Sequence, residues 1–135
     1  MVGKMKTKFI FHILFFTAIL LFINFARQPH VVKFSKDFYY DYESNSIFGK
    51  NNLVDIAPEI IEFVHDNFFV AVKQKPKYSY DSMYDYSENY SYKHGIDENY
   101  YWVISLAEKK VYGPLLFDEY KILCEKKKVK LKFNN

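Results

Sequence analysis

The sequence predicts an α+β protein: a small antiparallel β-meander packed against a C-terminal α-helix, preceded by one N-terminal apolar membrane or signal helix. Three observations carry this. Phe9–Ala26 is a run without a charged side chain, Ile60–Pro114 holds two stretches of period two, and Leu115–Val129 switches to helical spacing. A length of 135 residues fits one domain, and a chain with 50% hydrophobic and 21% aromatic residues is not disordered throughout.

The N-terminal run reads FIFHILFFTAILLFINFA, with His12, Thr17 and Asn24 as its polar side chains. As a helix it extends about 27 Å, close to the ~30 Å hydrocarbon core of a bilayer, where a helix satisfies its own backbone groups. Lys4, Lys6 and Lys8 precede it in the order of an export signal. Asn24-Phe25-Ala26 is a poor cleavage site, because Asn stands where a small residue belongs. Residues 1–28 are therefore expected to be an uncleaved single-pass anchor in the cell membrane, with secretion after signal cleavage as the alternative. Arg27, Lys33 and Lys36 balance the preceding lysines, so the positive-inside rule does not choose an orientation. The signal-like position places the N-terminus in the cytoplasm and the C-terminal domain outside it. A lone Cys124 suits an oxidising compartment, having no partner with which to mispair.

Residues 29–55 read as a tether with one strand around Val31–Phe34, because DFYYDYE and SNSIFGKNN are acidic or turn-rich. Residues 56–135 read as the small α+β domain. In IIEFVHDNFFVAVKQKP (Ile60–Pro76), alternating β-branched and aromatic residues flank Asp66-Asn67, which predicts a hairpin with a two-residue turn. Tyr100–Leu106, the polar turn Ala107–Lys110 and Val111–Pro114 predict a second strand pair. Trp102, Ile104 and Leu106 alternate there with Tyr101, Val103 and Ser105, so one buried face and one less buried face are expected. In LLFDEYKILCEKKKV the residues Leu116, Phe117, Tyr120, Leu123 and Cys124 recur at helical spacing, with acids early and lysines late to suit the helix dipole. Val129–Phe133 alternates again, which predicts a last edge strand.

Between the strand pairs lies a Tyr-rich loop, residues 77–99. Tyr78, Tyr80, Tyr84, Tyr86, Tyr90 and Tyr92 form three Tyr-x-Tyr units spaced by six. Tyrosine joins a flat apolar body to a polar tip, so these six residues are the candidate interaction surface for a protein or glycan partner. A merely tolerated surface loop is the competing reading.

Other chemistry is weakly signalled. Residues 1–28 carry four basic side chains and no acid, leaving 15 basic against 16 acidic side chains in the remainder. The excess positive charge is thus N-terminal, and nucleic-acid binding is not expected. His65, Asp66 and His94 lack a nucleophile elbow or an H-E-x-x-H motif, so no catalytic residue is assigned. Asp81, Asp85, Glu88, Asp97 and Glu98 lack calcium-loop spacing, and the four glycines stand too far apart for a phosphate loop; neither a metal nor a cofactor is expected. Cys124 reads as a small buried hydrophobe, and Lys126–Lys128 with Lys130 as a solvated helix end or an anionic-lipid contact.

FVAVKQKP (Phe69–Pro76), YYWVISLAEKKVYGPL (Tyr100–Leu115) and FDEYKILCEKKKV (Phe117–Val129), in that order, resemble a domain-of-unknown-function family of short bacterial exported proteins, many of them lipoproteins. The resemblance covers about residues 56–131. It implies an exported protein and carries over no catalytic residues. This chain lacks a lipobox cysteine, which leaves the apolar helix as its anchor to the lipid bilayer, through Phe9–Ala26. The expected function is a membrane-tethered envelope protein acting as a non-enzymatic binding module. An immunity-type protein that neutralises a toxin and a small hydrolase remain as alternatives.

Overall fold

The computed structural model describes residues 2–26, 30–77, 92–95 and 97–134. Two units result, Met1–His30 and Val31–Asn135. The first contains helix α1 (Val2–Ala26), whose described side chains, Ile10 to Ile23, are all exposed. The Thr17 hydroxyl donates back to the Ile13 carbonyl at 2.6 Å, so this polar group is satisfied within the helix itself. Among the described residues, no helix is long and apolar enough to cross a membrane. The helical state of the N-terminal run is thus observed; a membrane span is not.

The second unit is α+β, with two antiparallel sheets and a C-terminal helix. The smaller sheet runs β1 (Val31–Lys33), β2 (Phe38–Asp41), β3 (Ser46–Gly49) in chain order. This corrects the expected tether over residues 29–55. Phe38, Tyr40 and Ile47 are buried, and what reads as turn-rich composition is a pair of tight turns. The Ser35 hydroxyl accepts the Asp37 and Phe38 N–H groups, and the Asp41 carboxylate accepts those of Glu43 and Ser44. Asn45, at φ 51°, then supplies the left-handed residue that returns the chain.

The larger sheet is the expected meander, β4 (Ile60–His65), β5 (Phe69–Gln74), β6 (Tyr100–Ser105), β7 (Lys110–Leu115), each strand beside the next. The β4–β5 turn is longer than two residues. His65 pairs with Val70, and the Asp66 carboxylate accepts the N–H groups of Phe68 and Phe69 at 2.7 and 2.8 Å. Asp66 therefore makes the turn by its side chain, which removes the need for two left-handed residues.

Both faces of this sheet are covered, one completely and the other in part, as the alternation through Trp102 predicts. Val70, Val72, Trp102 and Ile104 pack with Phe38, Tyr40, Ile47, Ile56 and Ile60, joining the two sheets face to face. Ala71 and Val103, on the opposite side, pack under Tyr120 of helix α2 (Phe117–Lys127). Gly113, at φ 147°, lies against the Trp102 ring, and a Cβ there would collide with it.

Helix α2 begins as its acids suggest. Glu119, in the first turn, accepts the Leu116 N–H at 2.9 Å, and the adjacent backbone bond runs from the Tyr120 N–H to the Leu116 carbonyl. It ends with Lys128 left-handed at φ 59°, the Lys128 N–H returning to the Glu125 carbonyl and the Val129 N–H to that of Cys124. The expected edge strand at Val129–Phe133 does not form. Val129, Leu131 and Phe133 instead extend over the second face of the sheet, with Lys130 and Lys132 exposed, and the Asn134 N–H is held by the Glu62 carboxylate at 2.7 Å. Alternation reports one buried side of an extended segment, and a ladder is only one way to use it.

Candidate functional site

The Tyr-rich loop leaves β5 at Gln74 and returns at β6, so its base is set by those two strands. Gln74 is wholly buried, and its amide is fully used. Its Oε1 accepts the Trp102 indole N–H at 2.7 Å, while its Nε2 donates to the Ala57 carbonyl at 2.8 Å and to the Tyr92 hydroxyl at 3.1 Å. A buried amide costs several kcal/mol when unpaired, roughly 2–7 by transfer, so the four groups stand or fall together.

Tyr92 is the described member of the six candidate tyrosines. It is half-buried, packs on the core between the two sheets, and meets the Tyr100 ring at a tilt of 52°, with ring centres 4.8 Å apart. Burial raises its pKa, partly offset by the bond from Gln74. Tyr92 is thus a post at the end of the loop. Tyr78, Tyr80, Tyr84, Tyr86 and Tyr90 lie outside the described residues, as do Asp81, Asp85 and Glu88.

Tyr100 is a second post. Its hydroxyl donates to the Gly95 carbonyl at 2.6 Å and accepts the His94 N–H at 3.1 Å. Lys93 adds a third tie, donating to Glu119 on α2 at 3.1 Å. Glu119 has a lowered pKa, first because it accepts the Leu116 N–H and then because of Lys93. One short segment, residues 92–95, is thereby bonded to the buried Gln74, to β6 and to α2. None of these ties is visible in the low-complexity repeat; the alternation of Tyr100 and Trp102 on one strand was the available signal.

The remaining candidates are not gathered into a catalytic arrangement by the contacts observed. His65 is exposed and its ring lies tilted against Phe34, with ring centres 5.1 Å apart. His94 is exposed and serves through its backbone. Cys124 is half-buried against Tyr120, and burial raises its pKa, which disfavours the thiolate. The Tyr120 hydroxyl is buried without a geometrically sound hydrogen bond, and its pKa is raised, chiefly by desolvation. Cys124, Lys128, Lys130, Val129 and Leu131 line a cleft of about 420 Å³ beside it. Among the described residues, no group of His, Cys, Asp and Glu is arranged to hold a metal ion. No protein-family model matches the chain, and no curated protein or solved structure shows significant similarity to it.

Proposed function

We propose that this is a membrane-tethered envelope protein whose Val31–Asn135 unit is a non-enzymatic binding module, presenting the Tyr-rich segment to a protein or glycan. The observation that carries the reading is the fixed base of that segment: the same few residues are tied to Gln74, Tyr100 and Glu119. A recognition segment gains affinity when its ends are held, because less ordering entropy is lost on binding. The tether rests on the uncharged run Phe9–Ala26 and on the helix that contains it. In this reading the unit lies outside the cytoplasm, because Lys4, Lys6 and Lys8 precede the run in the order of an export signal.

Two experiments test these parts separately. The full-length protein stays with membranes after alkaline carbonate extraction; release into the supernatant, or a mature chain beginning near Arg27, ends the tether. Replacing Tyr78, Tyr80, Tyr84, Tyr86 and Tyr90 together by Ser abolishes capture of the envelope partner while the circular dichroism spectrum is kept. Undiminished capture ends the recognition role. Co-purification of one cognate toxin would narrow the module to the immunity type, and turnover of an ester or peptide substrate lost on His65→Ala or His94→Ala would replace it with a hydrolase.

A further inference from the structure

Four exposed lysines flank the outer edge of β4, and none of them has an ion pair among the described residues. On one flank β1 runs on into Phe34, whose ring lies 5.3 Å from that of Phe63 and 5.1 Å from that of His65; Lys33 and Lys36 stand on either side of Phe34 in the chain. On the other flank the tail turns Val129, Leu131 and Phe133 inward and Lys130 and Lys132 outward, and it ends where Glu62 accepts the Asn134 N–H.

Between the flanks lie apolar side chains in water. β4 is bulged between Ile60 and Glu62, which leaves Ile61 outside the ladder register and half exposed; Phe68, in the turn after β4, is exposed as well. The bulge disqualifies this edge for pairing with another strand. The acids nearby are already engaged: Glu59 pairs with Lys77, Glu62 holds the Asn134 N–H, and Asp66 holds those of Phe68 and Phe69. What remains is an apolar strip with unpaired cations on both sides. Such a pattern suits the boundary of a bilayer, where the apolar side chains leave water and the lysines reach phosphate.

We infer that the β4 edge docks on the anionic headgroups of a phospholipid bilayer, with Lys33, Lys36, Lys130 and Lys132 meeting the phosphates and Ile61 and Phe68 entering the headgroup layer. The inference rests on the tether reading and adds a second contact with the same bilayer. In that reading the apolar helix ends at Ala26 and β1 begins at Val31, so at most about 18 Å of extended chain joins them. A unit of this size has a radius of gyration of about 13 Å, so the leash holds the side next to β1 within reach of the headgroups. The β4 edge adjoins β1 through Phe34, and its charge complements an anionic surface.

The test reconstitutes the full chain, with Cys124→Ser to remove the native thiol, in phosphatidylcholine vesicles with or without phosphatidylglycerol. A polarity-sensitive fluorophore on Ile61→Cys shifts to the blue only where phosphatidylglycerol is present. The emission returns to its aqueous value in about 1 M salt, where the screening length is ~3 Å. Each of the four lysines changed to Gln lowers the docked-to-free ratio about fivefold. The same label on Ile122→Cys, exposed on α2, stays aqueous throughout. Carbonate extraction separates the two readings. A chain released by carbonate overturns the tether and this inference with it, whereas a chain that stays fixed while its Ile61 label remains in water overturns this inference alone. A shift in phosphatidylcholine alone, an equal shift at Ile122, or a shift lost on dilution into excess lipid, which marks a second copy on the edge, would each overturn it as well.

Discussion

The two faces of the four-stranded sheet are covered in different ways. One meets a second sheet, and its centre holds Trp102, Ile104, Val70 and Val72, all sealed from solvent, with one buried polar side chain, Gln74, whose hydrogen bonds are all made. The other meets a single helix and an extended tail. There Ala71, Val103 and Tyr120 are buried, their neighbours Val64, Leu123, Cys124 and Leu131 are only partly so, and the Tyr120 hydroxyl has no hydrogen-bond partner among the described residues. A sheet covers another sheet evenly, whereas one helix covers a stripe and leaves the margins to whatever follows it. Buried polar atoms show the same contrast: specified on the first face, tolerated on the second.

The comparison predicts an ordered set of stability changes, read as urea unfolding by circular dichroism. Trp102→Ala costs about 4 kcal/mol, from the cavity and from the unpaired Gln74 oxygen it leaves. A loss under about 2 kcal/mol would mean that the first face is no better packed than the second. Gln74→Leu comes next, at about 3 kcal/mol, because the Trp102 indole, the Ala57 carbonyl and the Tyr92 hydroxyl all lose their amide partner. Protease cleavage within residues 92–95 should rise in the same variant, as the Tyr92 post is released.

Tyr120→Phe goes the other way. Removing an unpartnered buried hydroxyl raises stability by about 1 kcal/mol, and a comparable loss would show that the group has a partner after all. The same variant separates the alkaline behaviour. Tyr120, Tyr92 and Tyr40 all have pKa values raised above 10.0, so the folded state holds their protons more tightly than the unfolded chain does. Their stabilisation is complete below pH 10 and is lost as the pH rises towards the folded-state values. Tyr120→Phe should therefore lose less stability above pH 10 than the parent chain. The smallest effect is Glu119→Ala, about 0.5 kcal/mol, since the tie to Lys93 is solvent-screened and only the Leu116 N–H is part-buried.

The β4–β5 and β6–β7 hairpins and helix α2 were legible because each depends on residues close in sequence: alternation about Asp66, alternation through Trp102, and the spacing of Leu116, Tyr120, Leu123 and Cys124. The three-stranded sheet was not legible. Its strands are three or four residues long, too short for period two to stand out beside the Asp, Ser and Asn side chains that make the turns. At the candidate site, the tyrosine repeat was conspicuous, yet what Tyr92 does depends on Gln74 and Trp102, which come together only when β5 pairs with β6.

By itself, then, the sequence determined the local elements and the uncharged N-terminal run, because hydrophobic periodicity and turn chemistry act over a few residues. Only the tertiary structure decided that residues 31–49 form a second sheet, that Val129–Phe133 covers a face without joining a ladder, and that Tyr92 is a post. Those outcomes turn on which apolar surfaces meet, and burial is a property of the assembled chain.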